Sequence, residues 1–150
     1  MITLIYYSTA INMFSIEDFI LLQKQCVEGN IPLGITGILL YNKGSIMQIL
    51  EGEATAVESL FEKIKIDKRH EDVYRLNSYA ISQRSYKDWS MQFKVISDQN
   101  WSKLENVIKV DNVEGGIHPI RTSLNIRLVM LIDTFINIGL DIQKYHQFIF

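Results

Sequence analysis

Two apolar runs, Gly34-Ile-Thr-Gly-Ile-Leu-Leu-Tyr41 and Ser45-Ile-Met-Gln-Ile-Leu-Glu-Gly52, stand on either side of Asn42-Lys43-Gly44. So short a connection predicts an antiparallel β-hairpin, with Gly44 available for the positive φ that such a loop requires. Side chains alternate along a strand, so Gln48 points the same way as Ile46 and Leu50. A primary amide on an apolar face needs partners, because a buried unpaired one costs about 1–3 kcal/mol. Either another side chain or a polar ligand must lie under that sheet.

The rest of the chain supplies the elements around the hairpin. Ile2 to Ser8 reads as a strand, with Ile2, Leu4 and Tyr6 on one face and Thr3, Ile5 and Tyr7 on the other. Ser15 with Asp18 three residues on forms a capping-box pattern that starts a helix. Its apolar stripe is Ile16, Phe19, Ile20 and Val27, and Leu22 and Cys26 make it wider than one sheet contact requires. Val57, Leu60, Phe61 and Ile64 recur at i, i+3, i+4 and i+7 and mark a second helix. Asp72 to Ser82 and Trp89 to Ile96 read as two more strands, the latter with Trp89, Met91, Phe93 and Val95 on one face.

The order β-α-β-β-α-β-β predicts an α+β, ferredoxin-like sheet with one added strand and both helices on one face. Ile5, Tyr7, Met47 and Ile49 make the opposite face too apolar to stay wet. The C-terminal part is its expected cover: a helix over 97–110, a Gly-containing linker over 112–119, and a second stripe of Leu124, Leu128, Leu131, Ile132 and Phe135. That last helix is apolar almost all round, and Gly139 is placed to stop it. The ending Phe148-Ile149-Phe150 is expected to dock.

Composition removes several classes of function. With 150 residues, 47% hydrophobic and 21% charged, the chain reads as one globular domain with a short appendage. A net charge of −2 leaves no electrostatic footprint for nucleic acid or an anionic membrane. Cys26 stands alone, which fits a reducing cytosol, and the strand-like start carries no signal-peptide pattern, so a cytoplasmic location is expected. The most apolar window, 124–140, is interrupted by Arg127 and Asp133 and is too polar for a membrane span. His70, His118 and His146 are scattered, so no metal-ligand spacing exists. No glycine-rich phosphate loop and no Ser-His-acid arrangement is legible, so no enzyme chemistry can be nominated.

What remains is a group of polar residues that the coarse fold converges: Tyr6 on the first strand, Asn30 at the end of the first helix and Gln48 on the third strand. Tyr6 and Gln48 lie on apolar faces of neighbouring strands, where a phenol–amide hydrogen bond is feasible. On spacing alone such a pair is more often a satisfied core contact, and a ferredoxin-like interaction module without a ligand stays open.

Five short motifs then change the weighting. Tyr6-Tyr-Ser8, Asn30 followed by Leu33-Gly-Ile-Thr-Gly37, Gln48-Ile-Leu-Glu-Gly52, Asp67-Lys-Arg-His70 and Trp89-Ser-Met-Gln92 occur in order over residues 2–96. Together they resemble the successive signatures of the BLUF domain, a family of blue-light receptors that bind FAD. The length of the chain and its expected C-terminal helices also resemble the short, stand-alone members of that family. The resemblance implies a photosensor core at 2–96 and an output and oligomerisation extension at 97–150. It implies an isoalloxazine ring between the two helices, walled by Leu22 and Ile64, with Asn30 on its pyrimidine edge. Lys63 is placed toward the ring, while Arg69, with Asp67 and His70, serves the flavin or simply holds its loop. The implied mechanism turns over no substrate. Light drives an electron and a proton from Tyr6, Gln48 is left rotated or tautomerised, and the fifth strand relays the change through Trp89 or Met91. Alternation puts both of those residues on one face and does not say which meets Gln48. A homo-oligomer and a separate downstream protein partner are the implied company. Gly29 departs from the family, several members of which carry a polar or ring-bearing side chain there.

Overall fold

The computed structural model describes residues 1–112 and 140–141, with side chains for residues 1–106. The elements run β1 (Ile2–Ala10), α1 (Ile16–Asn30), β2 (Thr36–Asn42), β3 (Ser45–Gly52), α2 (Ala54–Lys65), β4 (His70–Ala80), β5 (Gln92–Val95), α3 (Asp98–Asn112) and β6 (Leu140–Asp141). They form one sheet in the order β4-β1-β3-β2-β5-β6. The β2–β5 pair is parallel and the others are antiparallel. This is the ferredoxin-like α+β arrangement, extended beyond β2 by β5 and by the two-residue β6.

Local chemistry accounts for the elements that position the site. The β2–β3 hairpin closes with Asn42 opposite Ser45, leaving Lys43 (φ 43°) and Gly44 (φ 91°) as a two-residue turn of the primed kind that matches strand twist. Ser15 caps α1: its hydroxyl accepts from the Asp18 amide at 3.2 Å, and its own amide donates to the Asp18 carboxylate at 2.9 Å. Lys63 and Lys65 fall in the last turn of α2, where cations complement the helix dipole. Gly37 lies where a Cβ would stand 2.0 Å from the Ile49 carbonyl oxygen, so no larger residue fits between β2 and β3 there. In β4, Asp72 adopts a φ of 53° where the β1–β4 register slips between Tyr7 and Thr9, a bulge that bends the edge strand.

Two cores flank the sheet. On one face Leu4, Tyr6, Leu39, Leu50 and Phe93 pack against Phe19 of α1 and Val57 and Phe61 of α2. The guanidinium of Arg75 lies 4.8 Å from the Phe61 ring centre and pairs with Glu58 at 2.9 Å, tying α2 to β4. On the other face Ile5, Ile38, Leu40, Met47 and Ile49 meet Tyr86, Ile96, Trp101 and Leu104. Trp101 and Leu104 belong to α3, so the far face is covered from the C-terminal side. The expected helix around Leu124–Phe135 and the ending at 148–150 lie outside the described residues.

Three expectations are corrected. The fifth strand is only Gln92–Val95, so Trp89 and Met91 precede it and do not share a face. Trp89 packs with the far core and Met91 with the near one, because hydrogen bonds from the Gly37 amide to the Trp89 carbonyl (3.0 Å) and from Asn30 to the Ser90 carbonyl (2.7 Å) turn the backbone between them. β4 starts at His70 instead of Asp72. Ile16 is 55% exposed, and the inward face of α1 is carried by Phe19 and by the polar Gln23 and Asn30, all buried.

Candidate functional site: a cavity between two helices and a sheet

α1 and α2 do not close on each other over the near face of the sheet. Between them lies a cavity of about 330 Å³, within the usual range of ligand pockets. Its floor is the sheet, with Tyr6, Leu39, Ile46 and Gln48; Leu22, Cys26 and Asn30 line it from α1 and Leu60, Lys63 and Ile64 from α2. Asp67, Arg69 and His70 complete the wall from the α2–β4 connection and the start of β4.

The floor carries a hydrogen-bonded chain. Tyr6 and Gln48 face each other directly across the β1–β3 ladder. The Tyr6 hydroxyl donates to Gln48 Oε1, and Gln48 Nε2 donates to Met91 Sδ at 3.2 Å. All three side chains are under 5% exposed. Burial pushes the Tyr6 phenol far above its ordinary pKa, so it stays an O–H donor and the amide oxygen must turn toward it. Thioether sulfur is a weak acceptor, so the Gln48–Met91 end of the chain is its soft end.

Asn30 adds a second amide. It sits at the last position of α1, 3% exposed, with one N–H committed to the Ser90 carbonyl at 2.7 Å. The rest of its amide capacity is available to a cavity ligand. At the mouth, Arg69 binds Asp67 through Nε at 3.0 Å and reaches across to Gln25 Oε1 of α1 at 2.7 Å. The guanidinium hydrogen bond holds the Asp67 carboxyl below its usual range, and the same bond raises Arg69. His70 bridges Ser8 (2.9 Å) and the Ile64 carbonyl (3.1 Å). Because a carbonyl only accepts, Nε2 carries the proton and Nδ1 accepts from the Ser8 hydroxyl in the neutral ring. Burial lowers the His70 pKa, which favours that neutral form.

Every cofactor-binding residue anticipated from the sequence, Tyr6, Leu22, Asn30, Gln48, Lys63, Ile64 and Arg69, lines this one cavity. Met91 meets Gln48 within the near core and does not itself line the cavity. Trp89 is not at the site; it stacks on Tyr86 across the sheet, ring centres 6.2 Å apart. Three features escaped the sequence reading. Leu39 belongs to the floor because it pairs with Gln48 across β2–β3, and alternation alone could have shown that. Cys26 lines the cavity as a thiol pushed up to about 11 by burial. Gln25 is the far end of the Arg69 bridge, and an exposed helix residue gives no sequence signal of that kind.

The cavity has apolar walls in Leu22 and Ile64, two convergent amides in Asn30 and Gln48, and two cations at its rim in Lys63 and Arg69. That donor set fits a flat aromatic ring with a hydrogen-bonding edge and an anionic tail, which is the chemistry of a flavin nucleotide. Among the described residues no group of His, Cys, Asp and Glu could hold a metal ion.

Comparison with known proteins agrees. The profile of the BLUF family, "Sensors of blue-light using FAD", matches residues 1–92. Photoactivated adenylate cyclase subunit alpha of Euglena gracilis is 42% identical over 86 residues, 57% of this chain but 8% of that protein. Subunit beta of Euglena longa is 37% identical over 90 residues, 59% of this chain and 10% of the relative. The chain therefore spans about a tenth of the length of these relatives. Among solved structures, BlsA in its photo-activated state superposes with a TM-score of 0.65 at 28% identity, over 85% of this chain and 94% of that one. BlrB, a BLUF protein in its dark state, gives 0.62 at 29%, over 85% and 93%. The chain belongs to the BLUF family, the blue-light sensors that use FAD.

Proposed function

We propose that this protein senses blue light through the Tyr6–Gln48–Met91 chain and passes the signal on by protein contacts, in the cytoplasm and without turning over a substrate. The observation that carries the reading is a buried phenol–amide–thioether chain built into the floor of a flavin-sized cavity. Leu22 and Ile64 hold the ring, Asn30 and Gln48 bind its polar edge, and Lys63 and Arg69 supply positive charge for a carbonyl or the phosphates. Bound flavin contributes blue absorption and, once excited, a strong one-electron oxidant. Tyr6 gives up an electron and its phenolic proton and then regains both, so no net redox change remains. Gln48 is left rotated or tautomerised, because its amide donates at one end and accepts at the other. In the rotated amide the N–H no longer faces Met91, and the backbone around Met91 is released. A two-state element of this kind converts a local change into a displacement of a strand.

Output is assigned to residues 97–150, acting in a homo-oligomer and on a separate protein partner. Trp101 and Leu104 seat α3 on the sheet face opposite the flavin, which supports that route. Replacing Tyr6 by Phe and Gln48 by Ala tests the reading. Both variants are expected to bind FAD and to lose the light-induced red shift of its absorption band. A shift retained in Tyr6→Phe would remove Tyr6 as the electron donor.

A further inference from the structure

The site as described leaves one buried acid without a role. Glu51, on β3 three residues beyond Gln48, is 1% exposed and does not line the cavity. Its carboxylate accepts the backbone amides of Ser85 (3.2 Å) and Tyr86 (3.0 Å), and the Thr3 hydroxyl at 3.4 Å. These donors balance the charge, since a buried carboxylate survives only when its oxygens are well bonded. Arg84, next in the chain, reinforces the spot through backbone oxygens: its guanidinium donates to the Glu51 carbonyl at 3.1 Å and to the Gly34 carbonyl at 2.6 Å.

The bonds continue from there to the flavin cavity. The Tyr86 carbonyl accepts from the Trp89 amide at 3.2 Å, and the Trp89 carbonyl accepts from Gly37 at 3.0 Å. One residue on, the Ser90 carbonyl accepts from Asn30, and Met91 Sδ accepts from Gln48. Residues 85–91 thus form a strap with two kinds of anchor. One end is fixed to a carboxylate outside the cavity. The other is held by two amides that line it.

We propose that Glu51 is a positioning residue of the photoswitch: by fixing the 85–86 end of this strap, it holds Met91 against Gln48 and draws the strap back after illumination. The proposal rests on the Tyr6–Gln48 switch described above. When Gln48 turns and its bond to Met91 is lost, only the soft end of the strap is released. The Glu51 end stays bonded, so the dark arrangement retains an advantage that does not depend on the flavin. A carboxylate suits this task better than an amide. Two backbone N–H groups and a hydroxyl need acceptors, whereas an amide offers one acceptor oxygen and turns its own N–H groups toward donors.

Glu51→Gln keeps the size of the side chain and removes one acceptor. Flavin-free protein comes first: amide hydrogen exchange at Ser85 and Tyr86 is expected to quicken about tenfold, the lower bound for losing a hydrogen bond to a charged group. The Met91 methyl resonance is expected to move, while that of Met47, buried in the opposite core, stays in place. With FAD bound, thermal recovery after blue light is expected to slow about tenfold at unchanged flavin content. Glu51→Asp keeps both oxygens but withdraws them by one methylene, and should act in the same direction more weakly. Native amide protection in both variants, or loosened amides with recovery within twofold of the wild type, overturns the proposal. If the wild type shows no red shift at all, the photoswitch fails instead, and the exchange data on the flavin-free protein still judge the strap.

Discussion

Removing the Tyr6 hydroxyl alone and together with its partner amide separates an ordinary packed pair from a coupled one. Tyr6→Phe leaves the ring in place, 5.5 Å from the Phe61 ring centre, so no cavity forms. What it removes is the donor that the structure gives to Gln48 Oε1, in a side chain 4% exposed. An orphaned buried acceptor costs about 1–3 kcal/mol. Gln48→Leu by itself leaves the Tyr6 hydroxyl orphaned at similar cost, and the Met91 sulfur loses the N–H that faces it. In the double variant a phenyl ring faces an isobutyl group, and nothing is left unsatisfied at that contact. The double change should therefore cost less than the sum of the singles, with a coupling of about 1–2 kcal/mol. Urea denaturation of flavin-free protein, followed by circular dichroism, measures it. Additivity within about 0.5 kcal/mol, the scatter for independent sites, would refute the coupling.

Other perturbations probe other parts of the molecule. Gly37→Ala should collapse the β2–β3 pairing, because its Cβ would lie 2.0 Å from the Ile49 carbonyl oxygen; loss of soluble folded protein on expression is the readout. Gly29→Ala should raise the stability of flavin-free protein by about 0.5–1 kcal/mol in urea denaturation, since it is helical and its Cβ meets nothing within 4 Å. His70 should destabilise the fold at acid pH. Its folded pKa lies below the free value of 6.5 because of burial, so the unfolded chain binds more protons, and stability falls as pH drops through and below 6.5. Denaturation midpoints from pH 5 to 8 should show that slope, and His70→Asn should reduce it.

How far the sequence could be read depended on whether local alternation or tertiary contact decided each feature. The hairpin, the shared face of Ile46, Gln48 and Leu50, and the apposition of Tyr6 follow from a period of two and a turn with one available glycine. The two helices over one face follow from capping at Ser15 and the i, i+3, i+4, i+7 stripe from Val57. Trp89 and Met91 could not be sorted by the same logic. Their backbone is turned by bonds from Gly37 and Asn30, which are remote in sequence, so an ideal strand was the wrong template for residues 89–91. Ile16 has the right phase for the stripe yet is exposed, because periodicity assigns a residue to a face and not to a tertiary contact. The side-chain amide of Gln23 is buried with no hydrogen-bond partner among the described residues, and no pattern announces that. The two-residue β6 beside β5 joins residues more than 40 positions apart and leaves no local trace.

Light is held to reorder hydrogen bonds around a bound flavin through Tyr6 and Gln48. The visible absorption spectrum of the purified protein with FAD, recorded in darkness, after blue light, and again in darkness, puts that to the test. The expected result is a flavin band that shifts slightly to the red on illumination and returns thermally without bleaching. A flavin band that bleaches, or that stays fixed under light, would contradict the switch.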